Sequence, residues 1–168
     1  VRRIKPLASA RSAGKTVTFN GEEITVEELT TGSFQGVDIA LFSAGASRSQ
    51  EFAPAAWKSG AVVVDNSSAF RMEPDIPLVV PEINPHAIAQ YTSRGIIANP
   101  NCTSIVTLMA LAPLHRYSRI KRVVASSYQA VSGAGAKALE ELKLQVRAWA
   151  ADTPLPVEVF PYQIAFNI

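Results

Sequence analysis

Gly95-Ile96-Ile97-Ala98-Asn99-Pro100-Asn101-Cys102-Thr103-Ser104 is the stretch that decides the fold. Its first four residues form a short apolar run, the pattern of a buried strand. Thr103 to Leu114 is an apolar run long enough for a helix. A strand feeding a helix through a short polar turn is half of a βαβ unit. Cys102, the sole cysteine, stands at the junction. A helix N-terminus offers unpaired N–H groups and the positive end of the helix dipole, so it favours an anion. A thiol placed there is favoured as its nucleophilic thiolate. The competing reading of a lone cysteine is a small buried hydrophobe.

Working back from that stretch, three further apolar runs read as strands. They are Val37 to Phe42, Ala61-Val62-Val63-Val64-Asp65, and Pro77-Leu78-Val79-Val80. Between the first two, Ala46 to Ser59 reads as a helix interrupted by Pro54 and closed by Gly60. Earlier, Asn20-Gly21 lies between Lys15-Thr16-Val17-Thr18-Phe19 and Glu22-Glu23-Ile24-Thr25-Val26, a strong hairpin signal. Alternating strands and helices predict an α/β fold with a mostly parallel, Rossmann-like sheet buried on both faces. Ligands bind beyond the carboxyl ends of such strands. The polar clusters Ser43-Ala44-Gly45, Asn66-Ser67-Ser68 and Asn99-Pro100-Asn101-Cys102 each end a predicted strand, so they are expected to converge on one crevice. For each cluster alone, ordinary turn chemistry is the competing explanation.

After Leu114 the texture changes. Ile120 to Ser127 reads as a strand. A helix follows Ser132-Gly133-Ala134-Gly135, with Leu139, Leu142, Val146 and Trp149 on one face expected to pack on a core. Glu140, Glu141, Lys143 and Arg147 are expected to fill the solvent face. The domain division is placed at 1–102 and 103–168, the second being the start of an α+β domain.

The composition restricts the classes available. The chain has 168 residues, 48% of them hydrophobic and 18% charged, with a net charge of +2, which excludes a disordered chain. Lys and Arg are scattered rather than clustered, which argues against nucleic acid. One cysteine excludes an intrachain disulfide framework and suits a reducing compartment. His86 and His115 lack metal-ligand spacing, so no metal is expected. No apolar run approaches the roughly 18 residues of a membrane span. Neither histidine suits Cys102 as a base. His115 falls at the far end of the helix, roughly 20 Å away at its rise per residue, where a histidine complements the dipole. His86 reads as surface. A cysteine hydrolase is therefore disfavoured.

Other residues are candidates for binding. Ser132-Gly133 opens a helix, where glycine permits close approach and N–H groups favour anions. Leu7-Ala8-Ser9-Ala10-Arg11-Ser12-Ala13-Gly14-Lys15 follows a possible strand over Arg2 to Leu7. In dinucleotide-binding folds an arginine in such a loop accommodates a ribose 2′-phosphate. Arg71, with its planar fork, suits phosphate or carboxylate, or else a surface ion pair with Glu73 or Asp75.

These segments, in this order, resemble the aspartate-β-semialdehyde dehydrogenase family. The stretches that carry the resemblance are Leu7 to Lys15, Leu41-Phe42-Ser43-Ala44-Gly45, Val64-Asp65-Asn66-Ser67-Ser68, and Phe70-Arg71 followed by Val79-Val80-Pro81-Glu82-Ile83-Asn84. Ile97 to Thr103 and Tyr128-Gln129-Ala130-Val131-Ser132-Gly133-Ala134-Gly135 complete the set. The resemblance implies that Cys102 attacks the aldehyde, that NADP takes the hydride, and that phosphate releases aspartyl phosphate from the thioester. The biosynthetic direction, in lysine, threonine, methionine and diaminopimelate formation, is the reverse. It implies that Gln129 orients the acyl-enzyme, Asn101 contacts substrate and phosphate, and Arg71 binds phosphate. It also implies cofactor contacts at Ser9, Arg11, Ser12, Ser43, Ala44, Gly45, Asn66, Ser132 and Gly133.

By the same resemblance the protein is a cytoplasmic homodimer or homotetramer. The family's glycine-rich turn would precede Val1, and its histidine base would follow Ile168. The chain is accordingly expected to be an N- and C-terminally truncated portion, inactive alone. Competing expectations are a related acyl-phosphate reductase, such as N-acetyl-glutamyl-phosphate reductase, and a non-catalytic binding or assembly module.

Overall fold

In the computed structural model, which describes residues 1–167, the chain divides into two units, Val1–Ser118 and Arg119–Ile168. The first unit begins with β1 (Leu7–Ala8), β2 (Thr16–Phe19), β3 (Glu22–Thr25) and β4 (Glu27–Glu28). The expected hairpin forms: β2 and β3 pair antiparallel about Asn20 and Gly21, with φ of 51° and 84°. Positive φ at both central residues is the type I′ turn that matches strand twist. The expected strand over Arg2 to Leu7 shrinks to β1, which pairs in parallel with β4. Pro6 lacks an N–H and contributes only its carbonyl, which accepts from Glu27 N at 2.9 Å.

The central sheet is parallel, in the order β5 (Ile39–Phe42), β6 (Val62–Asp65), β7 (Ile96–Ala98). Helix α1 (Ala46–Lys58) joins β5 to β6 and buries Ser49, Phe52, Ala53 and Ala56, one stripe at helical spacing. Gly60, at φ 94°, follows as the sequence anticipates. Phe42, Phe52, Val63, Phe70, Ile76 and Ile96 fill the core beside the small residues Ala53 and Ala56, and Phe34 stacks on Phe42 at 5.9 Å.

Two expectations about this sheet are corrected. Pro77 to Val80 makes a single parallel bridge, Leu78 to Ala98, rather than a strand. It is bounded by Pro77 and Pro81, neither of which has an N–H to extend the ladder. The sheet is also not buried on both faces. Ile39 and Leu41 of β5 are 62% and 79% exposed, because α1 covers only the face that carries Ala40 and Phe42. Helix α2 (Cys102–Tyr117) closes the unit, anchored by Arg116, whose guanidinium donates to the Glu82 carbonyl at 2.9 Å.

The second unit consists of a 3-10 turn over Val131–Ala134, helix α3 (Ala136–Ala150) and the segment that follows it. Ile120 to Ser127 is not a strand. It finds no partner strand among the described residues, and Val123 and Val124 are exposed. The buried side of α3 is likewise not the apolar ridge. Ala138, Glu141 and Gln145 are buried, while Leu142 of the expected ridge is half-buried and Leu139, Val146 and Trp149 are exposed. Trp149 covers Phe166, their rings 4.8 Å apart. The two polar residues are buried because they serve the backbone of the following segment.

Candidate active site

The registers of the parallel sheet build the site. Phe42 pairs with Asp65, and Asp65 with Ala98, so the three strands end level. The next residues, Ser43, Asn66 and Asn99, therefore leave the same edge. Asn66 N donates to the Phe42 carbonyl at 2.8 Å, and Asn99 N to the Asp65 carbonyl at 2.8 Å. Their side chains then link: Asn99 Nδ2 donates to Asn66 Oδ1 at 2.6 Å, and Asn66 Nδ2 reaches Ser43 Oγ at 3.5 Å. The predicted convergence of the three polar turns is thus physical contact. Parallel sheets place their ligand crevice at this edge.

Arg71 ties two of these turns together. Its Nε donates to the Asn99 carbonyl at 2.9 Å and an Nη to the Asn66 carbonyl at 3.1 Å. The alternative ion pair is made by a different arginine, since Arg94 takes Glu73 at 3.2 Å and Asp75 at 3.3 Å. Beneath the turns lies Asp65, fully buried. It accepts from Ser49 Oγ at 2.7 Å, Ser67 Oγ at 2.7 Å and Ser67 N at 3.1 Å. That network fixes where β6 ends and where the Asn66 turn begins.

Two residues beyond Pro100, the chain enters α2 at Cys102. Asn101 is the N-cap: its Oδ1 accepts from Thr103 N at 3.0 Å and Ser104 N at 3.4 Å. Cys102 is exposed in this chain. His115 sits in the last turn of the same helix and His86 is exposed, as expected. The turn Ser43-Ala44-Gly45 is exposed and enters α1 through Gly45 at φ 90°, ψ 162°. That conformation is open to glycine and essentially closed to other residues.

Ser9, Arg11 and Ser12 lie in the loop after β1. Ser9 O accepts from Ser12 N at 2.8 Å and from Ala13 N at 3.1 Å, so the loop is a tight turn. Arg11 projects from it, exposed.

Cys102 belongs to the first unit and Gln129 to the second. Around Gln129 a hollow is lined by Ala130, Val131, Ala134, Phe160 and Ile164. A Cβ on Gly133 would fall 1.9 Å from Gln129 Nε2, so only glycine at 133 lets that carboxamide lie against the backbone. Ser132 is exposed beside it. Gly135, at φ 95° and ψ −179°, starts α3 as Gly45 starts α1.

Residues 1–91 match the family model described as semialdehyde dehydrogenase, NAD binding domain, and residues 111–168 the model for its dimerisation domain. The chain belongs to the semialdehyde dehydrogenase family.

This family member is 57% identical over 162 residues to the aspartate-semialdehyde dehydrogenase of Aquifex aeolicus, across 95% of this chain and 48% of that protein. The crystal structure of aspartate semialdehyde dehydrogenase II from Vibrio cholerae, complexed with ASA, matches with a TM-score of 0.86 at 46% identity. The match covers 99% of this chain and 50% of that one. A Candida albicans aspartate semialdehyde dehydrogenase solved with NADP matches with a TM-score of 0.56 at 28% identity, over 70% of this chain and 40% of that one. The chain spans about half the length of the curated relatives it matches.

Sequence reasoning passed over residues that shape each unit. Asn99 carries the link to Asn66, and no sequence signal marks it, because the link depends on strand register. Asp65 was read only as the end of a strand. Glu141 and Gln145 were hidden by an apolar ridge on the same helix.

Proposed function

We propose that the protein carrying this chain is an NADP-dependent aspartate-semialdehyde dehydrogenase. It interconverts aspartate semialdehyde and aspartyl phosphate through a thioester on Cys102. The observation that carries the reading is the level sheet edge. It joins Ser43, Asn66 and Asn99 and leads within three residues to an exposed cysteine at a helix start. A thiol there is accessible to an aldehyde, and thiolate attack on the carbonyl carbon forms a thiohemiacetal. The oxyanion that develops lies at the N-terminal end of α2, where the helix dipole favours negative charge although Thr103 N and Ser104 N are held by the Asn101 cap. NADP, when bound, accepts the hydride that converts the thiohemiacetal to the thioester. Phosphate then attacks the acyl carbon, and the thiolate leaves.

The residues present fit that cofactor. Gly45 leaves open space where a Cβ would stand, so a phosphate can approach the start of α1. Ser43, Ala44 and Asn66 line the same edge, Ser132 and Gly133 serve the nicotinamide end, and Ser9, Arg11 and Ser12 hold the 2′-phosphate. Arg71 binds the inorganic phosphate. Asn101 Oδ1 is committed to the cap, so its contact with substrate falls to Nδ2. Gln129 orients the acyl group. Residues 1–102 form the cofactor domain and 103–168 the start of the catalytic domain of a cytoplasmic homodimer or homotetramer that serves amino-acid biosynthesis. The dimerisation-domain match supports an oligomer.

The test is NADP reduction by the full gene product with aspartate semialdehyde and phosphate. Reduction that requires both is expected. Turnover of N-acetyl-glutamyl semialdehyde in preference would move the assignment to that reductase, and no reduction with either would overturn it. In the same assay Arg11→Ala is expected to weaken NADP by about tenfold, the worth of one charge-assisted hydrogen bond, and NAD hardly at all. Equal losses would remove the 2′-phosphate role.

A further inference from the structure

The second unit contains an arrangement with no part in the chemistry above. Two neighbouring side chains on α3 take five backbone N–H groups and one carbonyl of the segment at 156–165. Glu141, 4% exposed, accepts from Glu158 N at 2.8 Å, from Val159 N, and from Phe160 N at 3.3 Å. Gln145, fully buried one turn later, accepts through Oε1 from Ile164 N at 3.0 Å and Ala165 N at 2.8 Å. Its Nε2 donates to the Pro156 carbonyl at 2.7 Å and reaches Glu141 Oε1 at 3.5 Å. The segment has no strand or helix of its own to pair these groups. Backbone groups withdrawn from water need partners, and here two buried side chains supply them. The same donors hold the Glu141 carboxyl below its ordinary value, although burial pulls it upward.

The residues so held are not remote. Phe160, bonded to Glu141, and Ile164, bonded to Gln145, line the hollow at Gln129. Each clamp residue therefore fixes one wall residue through that residue's own backbone N–H. We propose that Glu141 and Gln145 are positioning residues that hold segment 156–165 as the wall of the Gln129 pocket, setting the shape that receives the acyl group. This rests on the role given to Gln129 above. It adds that the pocket is built from α3 outward, by a carboxylate and a carboxamide that touch no substrate.

Two readouts on the full gene product separate this from a merely stabilising role. In Glu141→Ala, amide exchange at 158–160 is expected to accelerate at least about tenfold, the effect of losing its acceptors. At a temperature where the variant is folded, kcat/KM for aspartate semialdehyde, counted per folded molecule by near-ultraviolet circular dichroism, is expected to fall about tenfold. NADP affinity should fall less than kcat/KM, since most of the proposed cofactor contacts lie in the other unit and only Ser132 and Gly133 stand beside Gln129. Glu141→Gln keeps one acceptor oxygen and should fall between wild type and the alanine variant. It carries the same readouts if alanine does not fold. Unchanged exchange at 158–160 would overturn the clamp. Faster exchange with unaltered kcat/KM would overturn the positioning role. An inactive wild-type protein would overturn the activity reading instead, and the exchange measurement would still decide the clamp.

Discussion

Cys102→Ser is expected to lower phosphate-dependent oxidation of aspartate semialdehyde by at least about a thousandfold, with NADP affinity held within about twofold. The expectation follows from the position of the side chain. Cys102 is exposed and supports no core, so the change leaves no cavity. The turn around it is held by groups that the substitution does not touch: Asn101 caps the helix through Thr103 N and Ser104 N, and Arg71 holds the Asn99 carbonyl. What is lost is the nucleophile. A serine hydroxyl is protonated at neutral pH and needs a base to attack, whereas a thiol is intrinsically nucleophilic and needs little help. Steady-state kinetics and cofactor titration on the same preparation check both halves. Turnover within about tenfold of wild type would remove Cys102 from the chemistry.

The largest effect on stability is expected at Gly95, where alanine should cost about 2–4 kcal/mol. Two mechanisms add. Gly95 has φ +63°, a left-handed conformation that a side chain adopts at a cost of about 1–2 kcal/mol. A Cβ there would also fall 1.8 Å from Trp57 Cε3, inside the indole ring, so the tryptophan must move. Trp57 is 38% exposed and has room to swing outward, which limits the steric share. A double-mutant cycle separates the two. In a Trp57→Ala background the Gly95→Ala penalty should drop to the backbone share of about 1–2 kcal/mol. An undiminished penalty in that background would show that the indole is not the obstacle. Gly95 donates its N–H to the Tyr91 carbonyl at 2.6 Å and immediately precedes β7, so the strain would enter the strand that delivers Cys102.

Much of the first unit was legible from residue pattern, for reasons that differ by element. The β2–β3 hairpin followed from Asn20-Gly21 because its turn needs positive φ at both residues, and few pairs supply it. The β5, β6 and β7 strands followed from unbroken apolar runs between glycines and polar turns. Pro77 to Val80 failed because its hydropathy matched a strand while its prolines could not join a ladder. Helix α3 was located correctly, and Glu140, Lys143 and Arg147 face solvent as expected, but its buried stripe carries Glu141 and Gln145 in place of Leu139, Val146 and Trp149. Helical periodicity records where apolar residues lie, and on α3 the packing inside the unit is directed by two polar residues serving a segment that cannot pair with itself. Ile120 to Ser127 failed for a related reason: strand propensity forms a strand only where a partner edge is offered.

The candidate site divides the same way. Its residue types could be read at the ends of the strands, and so could the expectation that they meet. The bonds that join them could not, because the chain does not announce its register. The level ends of β5, β6 and β7 put Asn66 against Asn99, and a shift of one residue would have separated them.

Arg71 has a thermodynamic consequence under the phosphate role proposed for it. Its Nε and one Nη already hold the carbonyls of Asn66 and Asn99. An anion that reaches the guanidinium must share it with the turn that leads to Cys102, or displace that turn. In either case anion affinity and the order of the Asn99–Cys102 turn become two readings of one coupling free energy, and linkage makes the coupling reciprocal. To the extent that phosphate and the turn share the guanidinium, ordering the turn changes phosphate affinity by the same factor by which phosphate changes the order of the turn.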